Sequence, residues 1–378
     1  MLINSTIRGI VDDIEEGIEV GKNPTLIDRT IENLIRALRE TSQRPDNQKR
    51  YANYSGVKGE MEPYPLESGY AKTFDPLVDE EGFYDQWVRS GVVVHPQIIS
   101  ESTCQKTIER VHVLMQALSE GQCDLTQPET YSHIPVDENN IPVLSRGFFE
   151  IYHDDALAQL RQTIRTYIHH VVLWGTTDLW TTFDRFGVKL PHHTESKALP
   201  LHVDQNPLTN PGFTSIQGVL ALSDCPTECG TLLVVPGSKQ YFSEYAHMEK
   251  RGEFVQLNTL DPIAEVLQQQ AQPIPLRAGS LVSWDSRTTH ANTENLSEDI
   301  RMVAYIAAGP AREDRPDLIS LREEAFRSGL AHYNHEAWLR VSTKPRFTNP
   351  TLISQVRHTE QLHLLGQLLY GKRSYRTC

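Results

Sequence analysis

Apolar residues near the start of the chain recur at helical spacing among charges: Ile10, Val11, Ile14 and Ile18, then Ile27, Ile31, Leu34, Ile35 and Leu38. The pattern predicts two amphipathic helices between Ile7 and Leu38, broken at Gly21 to Pro24. From Thr41 to Pro76 the chain is polar, carries Tyr and Pro, and shows no period, which predicts irregular structure. After Gly91 the β-branched run VVVHPQII predicts a short strand, and Ser102 precedes a helical pattern through Ile108, Val111, Leu114 and Leu118. A stripe of Leu157, Leu160, Ile164, Ile168 and Val171 predicts one helix over Ala156 to Leu173. Its histidines, His169 and His170, have no partner at metal-ligand spacing.

The texture changes between Trp180 and Ala308. Short apolar runs such as SIQGVLALSD, TLLVVPGS, SLVSWDS and RMVAYIAAG are broken by Pro, Gly and Asn, the punctuation of antiparallel β-structure. Many short strands without intervening helices suit a sandwich or barrel rather than alternating βαβ units. Beyond Pro310 helices return, with Leu352, Val356, Leu362, Leu365 and Leu369 in a final one begun after Asn349-Pro350. That helix is expected either to cover the barrel or to form a contact in a homodimer. With no Ser/Gly tract, charge block or repeat to mark a linker, the expectation is a single domain. It would be mainly β with α extensions: a helical and irregular part over 1–90, a β core with supporting helices over 91–310, and a helical cover over 311–378.

Composition narrows the partners. A hydrophobic content of 39% is enough for a large core, and a formal net charge of −13 opposes binding to extended nucleic acid while still permitting one small anion in a pocket. The five cysteines, Cys104, Cys123, Cys225, Cys229 and Cys378, form no Cys-x-x-Cys pairs and read as ordinary free thiols. The first residues carry acids where a signal peptide needs basic residues, and no run approaches the ~20 apolar residues of a membrane span. A cytoplasmic setting and a small-molecule substrate, with neither nucleic acid nor membrane as partner, are therefore expected.

The candidate chemistry centres on Leu201-His202-Val203-Asp204. Residues i and i+2 of a strand face one side, so the imidazole and the carboxylate can point together into a barrel. His290, closing GSLVSWDSRTTH, can supply a third ligand. Two histidines and a carboxylate on one face of an octahedron leave three positions open, the arrangement used by non-heme iron oxygenases. Arg301 heads RMVAYIAAG, and strand alternation places it on one face with Val303 and Tyr305. A guanidinium buried there needs a partner, either a structural Asp or Glu or the far carboxylate of a dicarboxylic co-substrate.

In this order, Lys189-Leu190-Pro191, His202-Val203-Asp204, VLAL, the run GTLLVVPGSK, Gly279, His290, Asn295 and Arg301 resemble the phytanoyl-CoA dioxygenase family of iron(II)/2-oxoglutarate oxygenases over roughly residues 80 to 310. The resemblance implies a double-stranded β-helix, the jelly-roll or cupin-like core. It implies iron held by His202, Asp204 and His290, with dioxygen as oxidant and the distal carboxylate of 2-oxoglutarate on Arg301. The residue two after the second histidine often assists as serine; here it is Asn292, which can still donate a hydrogen bond. Gln217 and Thr231 fall on neighbouring predicted strands and could assist co-substrate binding or serve as core polar groups. Lys189 could aid an acidic ligand, but its default reading is a solvated strand-end lysine. Relatives that halogenate carry a small residue at the carboxylate position, so Asp204 implies hydroxylation or a related oxidation of a metabolite.

The stretch between Ser238 and Gly279 reads as an insertion and a lid, or a passive cover. Arg185, Arg287, His193 and Tyr305 are candidate substrate contacts. Rival readings are a cupin-like metalloprotein without oxygen chemistry and a silent small-molecule binding protein. Arg301 argues against the first and the intact ligand set against the second.

Overall fold

Two side-chain caps start the chain's first helices. Asn4 accepts from the Ile7 N–H ahead of α1 (Ser5–Glu19), and Asn23 accepts from the Thr25 N–H ahead of α2 (Pro24–Ser42). The computed structural model describes residues 1–52, 54, 58–136, 140–257, 260–332 and 362–378. Part of the stretch read as irregular is ordered: α3 (Pro45–Ala52) and a ribbon of β1 (Leu66–Glu67) and β2 (Tyr70–Ala71) lie within it. Helix α3 has Asp46 in its first turn and Lys49 and Arg50 in its last, which suits the helix dipole. It has no long apolar stripe by which periodicity could find it.

Helix α4 (Glu80–Ser90) ends at Gly91, whose φ of 70° lets the chain turn directly into β3 (Val92–His95). Helix α5 (Glu101–Leu118) follows, capped by Ser100 rather than Ser102. The helix expected over Ala156 to Leu173 is two: α6 (Asp155–Arg161) and α7 (Ile164–Trp174). Thr163 adopts extended backbone between them and its hydroxyl donates to the Leu160 carbonyl, a local bond that competes with continuing the helix.

The remaining chain builds two six-stranded sheets in which every pair is antiparallel. Strands β4 (Phe148–Phe149) and β6 (Phe186–Lys189) belong to one, together with β8 (Ile216–Ala221), β13 (Leu281–Asp285) and β15 (Arg301–Tyr305). Its order is β3-β13-β8-β15-β6-β4. The second holds β7 (Leu199–Val203), β9 (Leu232–Val234), β10 (Lys250–Arg251), β11 (Phe254–Gln256), β12 (Gln272–Ile274) and β14 (His290–Asn292). Its order is β10-β11-β7-β14-β9-β12. A small ribbon pairs β5 (Leu179–Thr181) with β16 (Ala308–Pro310).

The sheets share an interior. Val92, Val219, Val282, Trp284 and Val303 of the first cluster with Leu232, Val234 and Ile274 of the second. Gly218 is required where β8 passes the backbone just after β15, since a Cβ there would meet the Ile306 carbonyl oxygen at 2.2 Å. A separate cluster joins α1 and α2 to α4, α7 and the closing helix α10 (Leu364–Leu369), with α8 (Pro262–Gln269) and α9 (Pro316–Ser328) between in sequence. Fully burying each of Ile7, Val11, Ile31, Leu34 and Leu38 contributes about 1.5–3 kcal/mol, so exposing this face would cost more than a domain's typical margin of about 5–15 kcal/mol can readily absorb. Leu365 and Leu369 lie in α10 as the pattern predicts, whereas Leu352 and Val356 fall outside the described residues. No helix of the described residues is long and apolar enough to cross a membrane.

The stretch between Ser238 and Gly279 differs from the lid expected of it. Strand β11 pairs with β7, placing Gln256 opposite His202, and β12 pairs with β9. It is built into the second sheet, and no described residue of 239–278 lines the central cavity.

Candidate metal centre

Strand β7 carries His202, and Asp204 follows just past its end; His290 opens β14, the hydrogen-bonded neighbour of β7, in register with His202. One atom from each of the three residues lies within 4.8 Å of the others. The Asp204 Oδ2 atom is 3.8 Å from His202 Nε2 and 3.4 Å from His290 Nε2. Among the described residues this is the one such group of three.

The tautomers follow from the backbone. His202 Nδ1 lies 2.8 Å from the Pro200 carbonyl and His290 Nδ1 lies 2.9 Å from the Thr288 carbonyl. A carbonyl only accepts, so each Nδ1 holds the proton and each Nε2 presents a lone pair to the shared centre. Burial and the neighbouring His290 push the His202 pKa down to about 4, keeping it neutral near pH 7. Burial alone would raise the Asp204 carboxyl, but attraction to the two imidazoles in their protonated form and the Gln217 donor outweigh it and hold it below the usual carboxylate range. Gln217 donates from Nε2 to Asp204 Oδ2 at 2.8 Å. The Phe254 ring of β11 packs 4.8 Å from His202, centroid to centroid.

Arg301 is 3% exposed, and its Nε and Nη1 are buried with no hydrogen-bond partner. Burial opposes its charge, but Tyr305, Cys225 and Cys229 beside it more than offset this and the guanidinium stays protonated. Its partner in the sheet register is Lys189 of β6. The lysine is not at a solvated strand end, as expected, but 1% exposed. Its Nζ donates to Asn292 Oδ1 at 2.7 Å, to the Lys197 carbonyl at 3.3 Å and to the Thr293 carbonyl. Burial and the adjacent Arg301 push its pKa down to about 7. No carboxylate of the described residues forms an ion pair with either cation. Two neighbouring buried cations without a counter-ion among the described residues are costly, and such a pair could hold a carboxylate.

A cavity of about 220 Å³ contains this centre and is lined by His202, Asp204, His290, Asn292, Arg301 and Tyr305 among others. The sequence of residues 87–303 matches the phytanoyl-CoA dioxygenase (PhyH) family. The chain belongs to this family. It is also 22% identical over 254 residues to the Ava biosynthesis cluster protein O of Aspergillus versicolor, covering 63% of this chain and 80% of that protein. Among solved structures it is similar to the epimerase SnoN in complex with Fe3+, alpha ketoglutarate and nogalamycin RO, at 18% identity over 61% of this chain and 83% of that one, with a TM-score of 0.45. AviO1 from Streptomyces viridochromogenes Tue57 matches at 19% identity over 62% of this chain and 96% of its own, with a TM-score of 0.43.

Not every expected site residue of this phytanoyl-CoA dioxygenase family member joins the centre. Thr231 donates its hydroxyl to the Ile274 carbonyl at 2.7 Å and does not line the cavity, so it serves the β9–β12 edge instead of a co-substrate. Gln217 reaches the cavity, yet its amide is engaged by Asp204, which makes it a support for the ligand carboxylate. Asn292 lines the cavity with Oδ1 taken by Lys189 and the Leu199 N–H, leaving Nδ2 as its donor. Among the candidate substrate contacts, Arg185 and Tyr305 line the cavity. Arg287 is bound to Asp285 at 2.6 Å, and His193 packs against the Tyr131 ring at 6.0 Å; neither lines the cavity.

Sequence reasoning did not find Trp174, Phe148 or Ser286 in the cavity wall. Trp174 closes a helix and Phe148 belongs to a two-residue strand, so neither stands in a pattern that announces a pocket. The cysteines behave as read: all five are free thiols.

Proposed function

We infer that the protein is an iron(II)- and 2-oxoglutarate-dependent oxygenase that oxidises a small molecule, a biosynthetic intermediate. The observation that carries this reading is the pairing of a three-ligand centre with two buried cations that pair with no carboxylate among the described residues. His202 and His290 would hold iron through Nε2 and Asp204 through its carboxylate, a set suited to iron(II) with open positions. Arg301 and the Asn292 amide would receive the far carboxylate of the co-substrate, with Lys189 behind them orienting Asn292 and adding positive charge. The two antiparallel sheets and their common interior support a double-stranded β-helix of the jelly-roll, cupin-like kind. A cupin-like metalloprotein without oxygen chemistry, or a silent binding protein, would leave Arg301 and Lys189 buried with no anion to serve.

When bound, iron and 2-oxoglutarate supply the oxidising power: dioxygen is consumed, the co-substrate becomes succinate and carbon dioxide, and an oxygen atom is available to the substrate. The chain's own residues do the positioning. The Pro200 and Thr288 carbonyls fix both imidazoles by holding the Nδ1 protons. Gln217 fixes the rotation of the Asp204 carboxylate. The carboxylate side chain at 204 occupies the position that a halide would need, which favours hydroxylation or a related oxidation over halogenation. Leu232, Val219 and Trp284 form apolar walls that exclude water from the centre.

Anaerobic addition of iron(II) and 2-oxoglutarate tests this reading. A weak visible charge-transfer band requiring both components is expected. Full metal occupancy without the band would refute it.

A further inference from the structure

Most polar groups on the cavity wall are engaged within the protein. The Thr182 hydroxyl is donated to the Ala307 carbonyl at 3.1 Å, and those of Thr214 and Ser286 go to Gln205 Oε1 at 2.9 and 2.5 Å. Ser215 Oγ lies 3.5 Å from the Ile216 carbonyl, and Arg185 donates to Asp184 and Glu150. Away from Arg301, two lining residues keep a buried polar atom that has no hydrogen-bond partner: Trp284 at Nε1 and Gln217 at Oε1.

The two stand together. They are opposite each other in the β8–β13 register, so their side chains leave the same face of the sheet with Cβ atoms about 4.5–5.5 Å apart. Both border the metal centre: the Trp284 ring lies 5.2 Å from that of His290, centroid to centroid, and Gln217 Nε2 donates to Asp204 Oδ2 at 2.8 Å. That bond settles the orientation of the amide, because an ionised carboxylate only accepts, and it leaves over Oε1, which also only accepts. The Trp284 indole, 3% exposed as a residue, only donates. The wall beside the centre thus presents one unmet donor and one unmet acceptor, and leaving either unmet in a buried site is costly.

We propose that Trp284 and Gln217 hold the hydroxyl of an alcohol substrate, the indole N–H donating to its oxygen and the amide oxygen receiving its proton. A hydroxyl does both with one atom. A carboxylate, ketone or ether oxygen would satisfy the indole but set its lone pairs against Gln217 Oε1, and an ammonium group would do the reverse. Val219 and Leu232, which line the same cavity, offer apolar surface to the carbon skeleton. A water molecule has the same hydrogen-bonding chemistry as an alcohol, and the experiment below separates the two. The proposal names a substrate class for the oxygenase site and rests on that reading.

The five tryptophans give five indole N–H signals in the nitrogen-15-labelled full chain, and Trp284→Phe, which keeps an aromatic ring against His290, identifies the Trp284 signal by its loss. Zinc(II) in place of iron(II), with 2-oxoglutarate, keeps the sample diamagnetic. 1-Butanol, which donates and accepts, is expected to move the Trp284 signal downfield and saturably. Butyl methyl ether and butyrate, which only accept, should bind at least about tenfold more weakly. These two results are read on the unsubstituted chain. Saturation-transfer titration should further show 1-butanol about tenfold weaker on Trp284→Phe, with zinc content and thermal unfolding checked on the same sample. A Trp284 signal indifferent to 1-butanol, as a firmly held water would leave it, an ether or butyrate bound as tightly as the alcohol, or 1-butanol affinity unchanged in Trp284→Phe would each overturn the proposal. Parallel iron(II) samples are read for the charge-transfer band: its absence marks failure of the oxygenase reading, while its presence with any of these results marks failure of this one.

Discussion

Replacing Arg301 by methionine should move two properties in opposite directions. In the protein without co-substrate, the guanidinium is buried, its Nε and Nη1 lack partners, and Lys189 stands beside it in the sheet. An apolar side chain of similar length removes a desolvated charge and a like-charge contact, which should stabilise the free protein by about 1–3 kcal/mol. The same substitution removes the two-point partner of the co-substrate's far carboxylate. Losing one member of a buried charge pair costs about 2–5 kcal/mol. Lys189 and the Asn292 amide remain, which places the loss toward the lower end, about 3 kcal/mol or ~100-fold in affinity. Iron binding should be unaffected, because Arg301 is not among the ligand residues. Calorimetric titration of 2-oxoglutarate into anaerobic metal-loaded protein, with thermal unfolding of the free protein, gives both numbers. Unchanged co-substrate affinity, or weakened iron binding of similar size, would refute the reasoning.

Lys189 gives the site a pH dependence. Its pKa is pushed down to about 7, so the proton that helps hold a carboxylate is lost as pH rises through that value, and 2-oxoglutarate affinity should fall between pH 6 and 9. Lys189→Met should weaken binding and flatten that profile, and titrations at several pH values check it. For stability the sign is opposite: the unfolded chain holds this proton up to its ordinary value near 10.5, so stability should rise with pH from about 7 to about 10.5, an increment absent in Lys189→Met. Gln217→Leu removes the donor to Asp204 Oδ2 and should weaken iron(II) by about 10–100-fold in a competitive chelator assay while leaving the fold's circular dichroism intact. Glu253 accepts from the Asn206 N–H at 2.8 Å, from Asn210 Nδ2 at 3.1 Å and from the Thr209 hydroxyl at 3.2 Å, tying the loop after Asp204 to the β10–β11 hairpin. Glu253→Ala should raise amide hydrogen exchange over 206–210 with little change in the β13–β8 ladder.

The sequence carried the centre because its chemistry is local in pattern. An H-x-D at a strand end, a second histidine opening another strand and an arginine heading a third are each visible from alternation, and β7, β14 and β15 bring them together. What alternation cannot supply is pairing between distant strands. Lys189 looks solvated until β6 is placed beside β15; only then is it a buried neighbour of Arg301. Gln217 becomes the support of Asp204 because strand β8 turns its side chain toward the loop after β7, a contact between sheets. The stretch read as a lid or a passive cover hid its strands for a related reason: β11 pairs with β7 beside His202, and such pairing leaves no mark in a two- or three-residue strand. The break between α6 and α7 lacks the Pro or Gly that usually announces one, since Thr163 supplies the competing hydrogen bond.

In the proposed enzyme His202, Asp204 and His290 hold one iron with room for a chelating co-substrate. X-ray absorption at the iron edge of anaerobically loaded protein tests it most directly. One iron per chain is expected in a six-coordinate shell of nitrogen and oxygen, with outer-shell scattering from two imidazoles and a change in the oxygen ligands when 2-oxoglutarate is added. A sulfur ligand, an imidazole count other than two, or a shell indifferent to 2-oxoglutarate would contradict it.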